Sequence, residues 1–257
     1  MKKIILFILI TLTSLSLFAG KLRVGASPVP HAELLNLVKE DLKSQGVELE
    51  VIEISDYVTP NLLLDDGSLD ANYFQHIPYQ NKFAEERKLS LVAVGKVHVE
   101  PLGLYSGKYK KIEDIPANGT IAIPSDPTNG GRALILLHNN GIIKLKDPTN
   151  LSATEIDVIE NPKKFKFTAV EAAQLPRVLP DVDAAVINGN YALEVKLNPS
   201  KDSLLLEDEK SPYVNVVTVK AGNEKNENVI KLVKALQTDK VKEFILKTYN
   251  GGVVPAF

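Results

Sequence analysis

Residues 22–54 read LRVGASPVPHAELLNLVKEDLKSQGVELEVIEI. Leu22 to Ala26 is a short strand-like run, and Ser27, Pro28 and Pro30 then turn the chain. From about His31 to Lys43, the residues Leu34, Leu35, Val38 and Leu42 recur at the spacing of one helical face. Gly46 ends that helix, as a residue free to adopt positive φ commonly does. Val47 to Ile54 is strand-like again, with Val47, Leu49 and Val51 alternating. Strand, helix and strand in this order make a βαβ unit. Parallel strands need such a crossover, so the opening predicts a parallel sheet covered by helices.

The alternation continues outward from that unit. Helical stretches are predicted at Pro60–Leu64 and Pro78–Lys88, and strands at Leu91–Val99 and Thr120–Ile123. A polar turn, Ser125–Gly131, leads to a helix over Arg132–Asn140 closed by Gly141. Asp183–Ile187 and Tyr213–Val219 read as buried strands. Two helices, Glu227–Gln237 and Lys240–Tyr249, end at Gly251 and Gly252. Loop-rich points at about Pro101–Asp114 and Asp208–Tyr213 divide the pattern. The simplest arrangement is two α/β lobes, residues 21–104 with 213–257 and residues 105–212. Two crossing segments would then form a hinge beside a ligand cleft.

The composition narrows the chemistry. The 257 residues are 44% hydrophobic and 24% charged, enough for a real core. A formal net charge of -2 gives no reason to expect nucleic acid or an anionic membrane surface as a partner. With no cysteine, disulfides, thiol catalysis and thiolate metal sites are excluded. The four histidines, His31, His76, His98 and His138, show no metal-ligand spacing, so no metal and no cofactor are expected. Neither a Gly-x-Ser-x-Gly elbow nor an HExxH motif occurs. Asp65, Asp66 and Asp70 read as a solvated loop, which leaves His76 as the one candidate acid or base for an enzyme.

Four segments combine loop chemistry with unusual side chains. Residues 70–79, DANYFQHIPY, gather Tyr73, Phe74, His76 and Tyr79 in a chain that is only 6% aromatic. They could be plain core aromatics, or a box around a polarizable side chain, since sulfur makes favourable ring contacts. Residues 125–132, SDPTNGGR, join a strand to a helix. Either this is a turn with a solvated arginine, or Arg132 offers its planar fork to a carboxylate. Residues 186–191, VINGNY, end a buried strand; Asn188 and Asn190 could point into a cleft, or form an Asn-Gly turn. An amide can accept from an ammonium group and donate to a carboxylate. In residues 212–216, PYVNV, Asn215 is either a solvent-facing edge residue or a buried group that needs partners.

These four segments, in this order, resemble the NlpA/MetQ family of methionine-binding proteins. Further matching stretches are VGASPVPHAE, PLGLYSGK, VIENPKKFKF, EAAQLPR and the closing YNGG. The resemblance covers essentially the whole chain after the N-terminal apolar run. It implies a type II periplasmic-binding-protein fold of two lobes closing on a small ligand. It also implies a function: capture of L-methionine or a related amino acid outside the cytoplasm, and delivery to the permease and ATPase subunits of an ABC importer. Arg132 would hold the ligand carboxylate. Asn188 and Asn215 would bind its backbone groups, and Tyr73, Phe74, His76 and Tyr79 would wall the thioether. D-methionine, a Met-containing dipeptide or another apolar amino acid fits the same anchors. A periplasmic lyase on this fold, or a surface protein that has kept it, are the remaining alternatives.

At the N-terminus, Lys2 and Lys3 precede an apolar run from Ile4 to about Phe18, followed by Ala19, Gly20 and Lys21. This is the order of a secretory signal peptide, assigned to residues 1–20. A membrane anchor is the other reading, but the run falls short of the roughly 20 apolar residues a spanning helix needs. Without Lys2 and Lys3, 28 basic residues face 32 acidic ones, a net charge of -4. Many proteins of the resembling family carry a lipid on a cysteine after the signal. Here Lys21 follows Gly20, so a free periplasmic protein is expected. N-terminal sequencing from the native cell should find a chain starting near Gly20 or Lys21 in the soluble fraction. Met1 retained in a membrane fraction would contradict this.

Overall fold

The computed structural model describes residues 20–208 and 212–257. The expected signal segment before Gly20, and residues 209–211 of the second expected crossing, lie outside them. The opening unit forms. β1 (Gly20–Ala26) and β2 (Val47–Glu53) pair in parallel, with Leu22 opposite Leu49 and Val24 opposite Val51. The helix between them is not the single one expected. An irregular turn at Pro28–Ala32 leads into α1 (Glu33–Leu37) and α2 (Lys39–Ser44), with Val38 breaking the pair at ψ 0°. The apolar stripe survives the break, and Leu34, Leu35, Val38 and Leu42 are all buried against the sheet. Gly46 has φ +75°, the left-handed conformation that ends the crossover cheaply.

The chain continues through α3 (Thr59–Asp65), β3 (Ala71–His76), α4 (Ile77–Arg87), β4 (Leu91–Val99), β5 (Gly103–Tyr105) and β6 (Thr120–Pro124). Then come α5 (Pro127–Asn139), β7 (Lys144–Leu145), β8 (Val158–Glu160), β9 (Lys166–Val170), α6 (Leu175–Val178) and β10 (Ala184–Ile187). The last elements are α7 (Gly189–Glu194), α8 (Pro199–Asp202), β11 (Leu205–Leu206), β12 (Val214–Lys220), α9 (Glu227–Leu236), α10 (Asp239–Tyr249) and β13 (Val254–Pro255). Two sheets result. One has the order β13-β4-β12-β3-β1-β2, the other β11-β5-β10-β6-β9. In each, the parallel strands (β3, β1 and β2; β10, β6 and β9) are flanked by antiparallel ones. Separate apolar clusters lie against the two sheets, one containing Leu22, Leu34, Val217 and Leu232, the other Leu104, Ile121, Leu134 and Val186.

The chain passes from the first sheet to the second between Val99 and Gly103 and returns between Leu206 and Val214. The first passage is much shorter than the loop expected at Pro101–Asp114, because Gly103–Tyr105 is a strand paired with β10 and β11. Gly103 and Leu104 therefore join the second sheet, not the first lobe in which they are expected. The expected polar turn at Ser125–Gly131 is also corrected. Helix α5 starts at Pro127, with Asp126 as its N-cap accepting from Asn129 N at 2.9 Å. The glycines that suggested a turn are helical instead. A β-carbon at Gly131 would sit 2.5 Å from the Leu151 carbonyl oxygen, so glycine lets the helix pack against that loop. No helix among the described residues is long and apolar enough to cross a membrane.

Candidate functional site

The carboxyl ends of β3, β6 and β10, parallel strands drawn from both sheets, bring His76, Asn129 and Asn188 to one place. In open α/β sheets this is where ligands bind. A narrow pocket lies there, lined by Tyr57, Phe74, Gln75, His76, Tyr79, Glu100, Asn129, Arg132, Asn188, Gly189, Asn190 and Asn215. Of the residues expected at the site, Phe74, His76, Tyr79, Arg132, Asn188 and Asn215 line it. Tyr73 does not.

Tyr73 is the correction among the expected residues. The register between β3 and β12 shifts so that Gln75 faces Val216 while Tyr73 faces Val217, leaving Phe74 as the extra residue of a bulge. Tyr73 then packs in the core of the first sheet with its hydroxyl 2.5 Å from His98 Nδ1. Phe74 joins an aromatic group with Tyr57, Tyr79 and Phe83.

His76 caps α4: its Nδ1 accepts from Tyr79 N at 3.1 Å. That leaves Nε2 as the protonated nitrogen, which donates to Asn129 Oδ1 at 3.0 Å. Burial, reinforced by the Arg132 charge, lowers its pKa to about 3, so the ring is neutral. Both nitrogens are engaged by the fold, and the one acid or base candidate has none left for a substrate proton.

Arg132 is the sixth residue of α5. Its Nε donates to Glu207 Oε1 at 2.9 Å, its Nη2 donates to Glu207 Oε2, and Nη2 also donates to the Glu100 carbonyl at 2.8 Å. The guanidinium lies 4.1 Å from the Tyr213 ring centroid. Burial opposes the charge, but Glu207 outweighs it and raises the Arg132 pKa. The fork expected to meet a ligand is thus taken by Glu207, and Nη1 alone has no protein acceptor among the described residues.

Glu100, the first residue after β4, was not singled out in the sequence. Its Oε1 accepts from His98 Nε2 at 2.7 Å and lies 3.3 Å from His31 Nε2, and its Oε2 accepts from Asn190 N at 2.8 Å. Burial pushes its pKa up, but the His31 and His98 contacts and the Asn190 N–H win, so it lies below the ordinary carboxylate value. A β-carbon at Gly189 would lie 2.8 Å from Glu100 Cβ, which explains the glycine of VINGNY. His31, His98 and Glu100 bring potential metal-ligand atoms within 4.8 Å of one another, a grouping hidden in the sequence by the distance from position 31 to 98. Here His98 Nε2 bonds to Glu100, while the His31 Nε2 proton goes to Asn215 Oδ1 at 3.0 Å.

The amides complete the site. Asn215 is not on an edge, because β12 pairs with β3 and β4 and places it opposite His76 and His98. Asn188 Nδ2 donates to Asn129 Oδ1 at 2.9 Å, and Tyr57 Oη donates to Asn190 Oδ1 at 2.5 Å. The other amide atoms, Asn188 Oδ1 and Asn190 Nδ2, are buried without a partner. Such atoms are costly, and at a pocket they indicate a ligand that satisfies them. Of the residues missed, Asn129 sat inside a quoted motif and Glu100 immediately before an expected crossing. Gln75 likewise sat inside the quoted segment 70–79 and Glu207 immediately before the second expected crossing, whereas Tyr57 carried no local signal.

Because Tyr73 serves His98 and not the pocket, Tyr73→Phe should leave His98 Nδ1 unpaired and cost roughly 1–3 kcal/mol of stability. Chemical denaturation should show the loss, and binding assays should show unchanged selectivity among ligand side chains.

The model of the family described as NlpA lipoprotein matches residues 22–257. A probable D-methionine-binding lipoprotein MetQ of Pasteurella multocida is 44% identical over 237 residues, which cover 92% of this chain and 86% of that protein. The structure of a nutrient binding protein from Burkholderia cenocepacia bound to methionine superposes with a TM-score of 0.89 at 46% identity, covering 92% of this chain and 100% of that one. An ABC transporter periplasmic substrate-binding protein from Coxiella burnetii gives a TM-score of 0.87 at 43% identity, covering 91% and 100%. Likeness of this extent in both sequence and fold leaves one conclusion: the chain belongs to the NlpA lipoprotein family.

Proposed function

We propose that this protein is an extracytoplasmic solute-binding protein that captures methionine and delivers it to the permease and ATPase subunits of an ABC importer. The observation that carries the reading is the pair of buried, partnerless amide atoms, Asn188 Oδ1 and Asn190 Nδ2, on the pocket wall. One accepts and one donates, as the ammonium and carboxylate of an α-amino acid require. Glu100 supplies negative charge for the ammonium, and Arg132 Nη1 and Asn215 supply donors for the carboxylate. Phe74, Tyr57 and Tyr79 give an apolar aromatic wall for a thioether. The relatives' names support the same ligand, one specifying D-methionine and one a methionine complex.

The two sheets support a division into lobes of residues 21–104 with 213–257, and 105–212, adjusted so that Gly103 and Leu104 go with the second. His76–Asn129 and Tyr57–Asn190 bonds then cross the cleft, as does Tyr191 Oη to the Ser55 carbonyl at 2.8 Å. Ligand would favour this closed arrangement. As for location, relatives are called lipoproteins, whereas these 257 residues contain no cysteine to acylate. We place the protein free in the periplasm, subject to the fractionation described above.

Calorimetry with a ligand series tests the reading. Methionine should bind best, and norleucine roughly two- to tenfold more weakly, since sulfur–aromatic contacts contribute about 0.3–1.5 kcal/mol. Leucine should follow, and decarboxylated methionine should be weakest. Leucine or a dipeptide outranking methionine would overturn the choice of ligand, and including both enantiomers decides the stereochemistry. Separately, Arg132→Ala should weaken methionine binding by about tenfold or more, the worth of a hydrogen bond to a charged group. An unchanged affinity would remove Arg132 from the carboxylate site.

A further inference from the structure

Asn188 Oδ1 faces no protein donor, yet an amide can turn over and show its nitrogen instead. What decides which end the pocket sees is a chain of hydrogen bonds that starts outside it. Asp126 is not among the residues lining the pocket. Its carboxylate accepts from Asn129 Nδ2 at 3.0 Å on both Oδ1 and Oδ2, and from Thr128 Oγ1 at 3.0 Å. A carboxylate accepts only, so Asn129 must turn its nitrogen toward it and its oxygen away. That oxygen takes the His76 Nε2 proton and the Asn188 Nδ2 proton. His76 cannot reverse its own role cheaply, because its Nδ1 already accepts from Tyr79 N. With its nitrogen drawn to Asn129, Asn188 is held with its oxygen turned away from Asn129 and left without a protein partner.

We infer that Asp126 is a positioning residue that fixes the polarity of Asn129 and, through it, makes Asn188 present an acceptor selecting ligands with a free ammonium group. This rests on the amino-acid reading above and adds to it. The site should prefer an α-amine over a hydrogen or an N-acyl group at that position, and the preference should depend on a residue that never touches the ligand. Asp126→Asn puts a donor where only acceptors stood. The introduced amide nitrogen would compete for Asn129 Oδ1, and turning Asn129 over would set its nitrogen against the His76 proton and pull the Asn188 oxygen away from the pocket. Asparagine caps helices as well as aspartate does, so α5 keeps its N-cap.

The test compares methionine with 4-methylthiobutanoate, which lacks the amine, and with N-acetylmethionine. In the wild-type protein methionine should bind roughly tenfold or more tightly than either. In Asp126→Asn that ratio should fall by about fivefold or more, the loss of a good part of one charged hydrogen bond, while the thermal midpoint stays close to wild type. Asp126→Ser, which also retains a capping oxygen, should show the same fall, and it serves if the asparagine variant does not fold. A wild-type ratio kept in a folded variant overturns the relay and leaves the amino-acid reading standing. A ratio near one in the wild-type protein overturns that reading, and the relay with it.

Discussion

The Glu100 carboxylate is the group on which the arrangement of the two halves depends. It is only 6% exposed, and an ionised carboxylate out of water costs several kcal/mol unless its lone pairs are filled. The donors come from both sides. His98 Nε2 donates to it from the first sheet, with His31 Nε2 3.3 Å away on the turn after β1, and Asn190 N donates from the start of α7, beyond the second. Its own carbonyl takes Arg132 from α5. Glu100 also begins the three-residue passage between the sheets, so the chain is tied at the point where it changes halves. Gly189 belongs to the same constraint, since a side chain there would push α7 off Glu100.

The charges around the pocket follow from that tie. The buried Arg132 and the half-buried Glu207 neutralise each other, held by two hydrogen bonds, with the Arg132 guanidinium over the Tyr213 ring. Glu100 faces histidines instead of a fixed cation, and burial lowers the His31 pKa to about 4 despite the opposing pull of Glu100. A zwitterionic ligand, as proposed, would meet the Glu100 carboxylate at one end. At the other it would meet Arg132, whose Nη1 has no protein acceptor among the described residues. The aromatic group of Phe74, Tyr79 and Tyr57 is a separate cluster and can accept a side chain without disturbing either charge.

Much of this was legible in the sequence, and the misses have physical causes. Periodicity gave the βαβ opening, both C-terminal helices and the strands ending in Asn188 and beginning beside Asn215. It failed where a local signal had two meanings. Asp126-Pro127 is a helix start, but Gly130 and Gly131 outvoted it as a turn, although their spacing serves close packing in α5. In the segment DANYFQH the aromatics and His76 drew the reading, and the polar Asn72 and Gln75 went unremarked. In fact Asn72 and Gln75 are buried in a network with Asn61 and Thr218 that no window of sequence could show. Tyr73 was misplaced because a bulge re-aims β3 just before the site. Glu100, Glu207 and Tyr57 gain their roles only from partners up to 133 positions away.

The partnerless amide atoms also bear on why a closing protein would stay open when empty. Each buried polar atom without a partner costs about 1–3 kcal/mol. Asn188 Oδ1 and Asn190 Nδ2 are buried beside the pocket, and the bonds of Asn188 to Asn129 and of Tyr57 to Asn190 hold their amides in place. If the lobes part as proposed and water reaches both atoms, the penalty belongs to the closed form alone. A ligand can shift such an equilibrium only through contacts it makes in one state and not in the other. An α-amino acid that satisfies both amide atoms removes the penalty where it arises, so recognition of the ligand and closure of the lobes draw on the same hydrogen bonds.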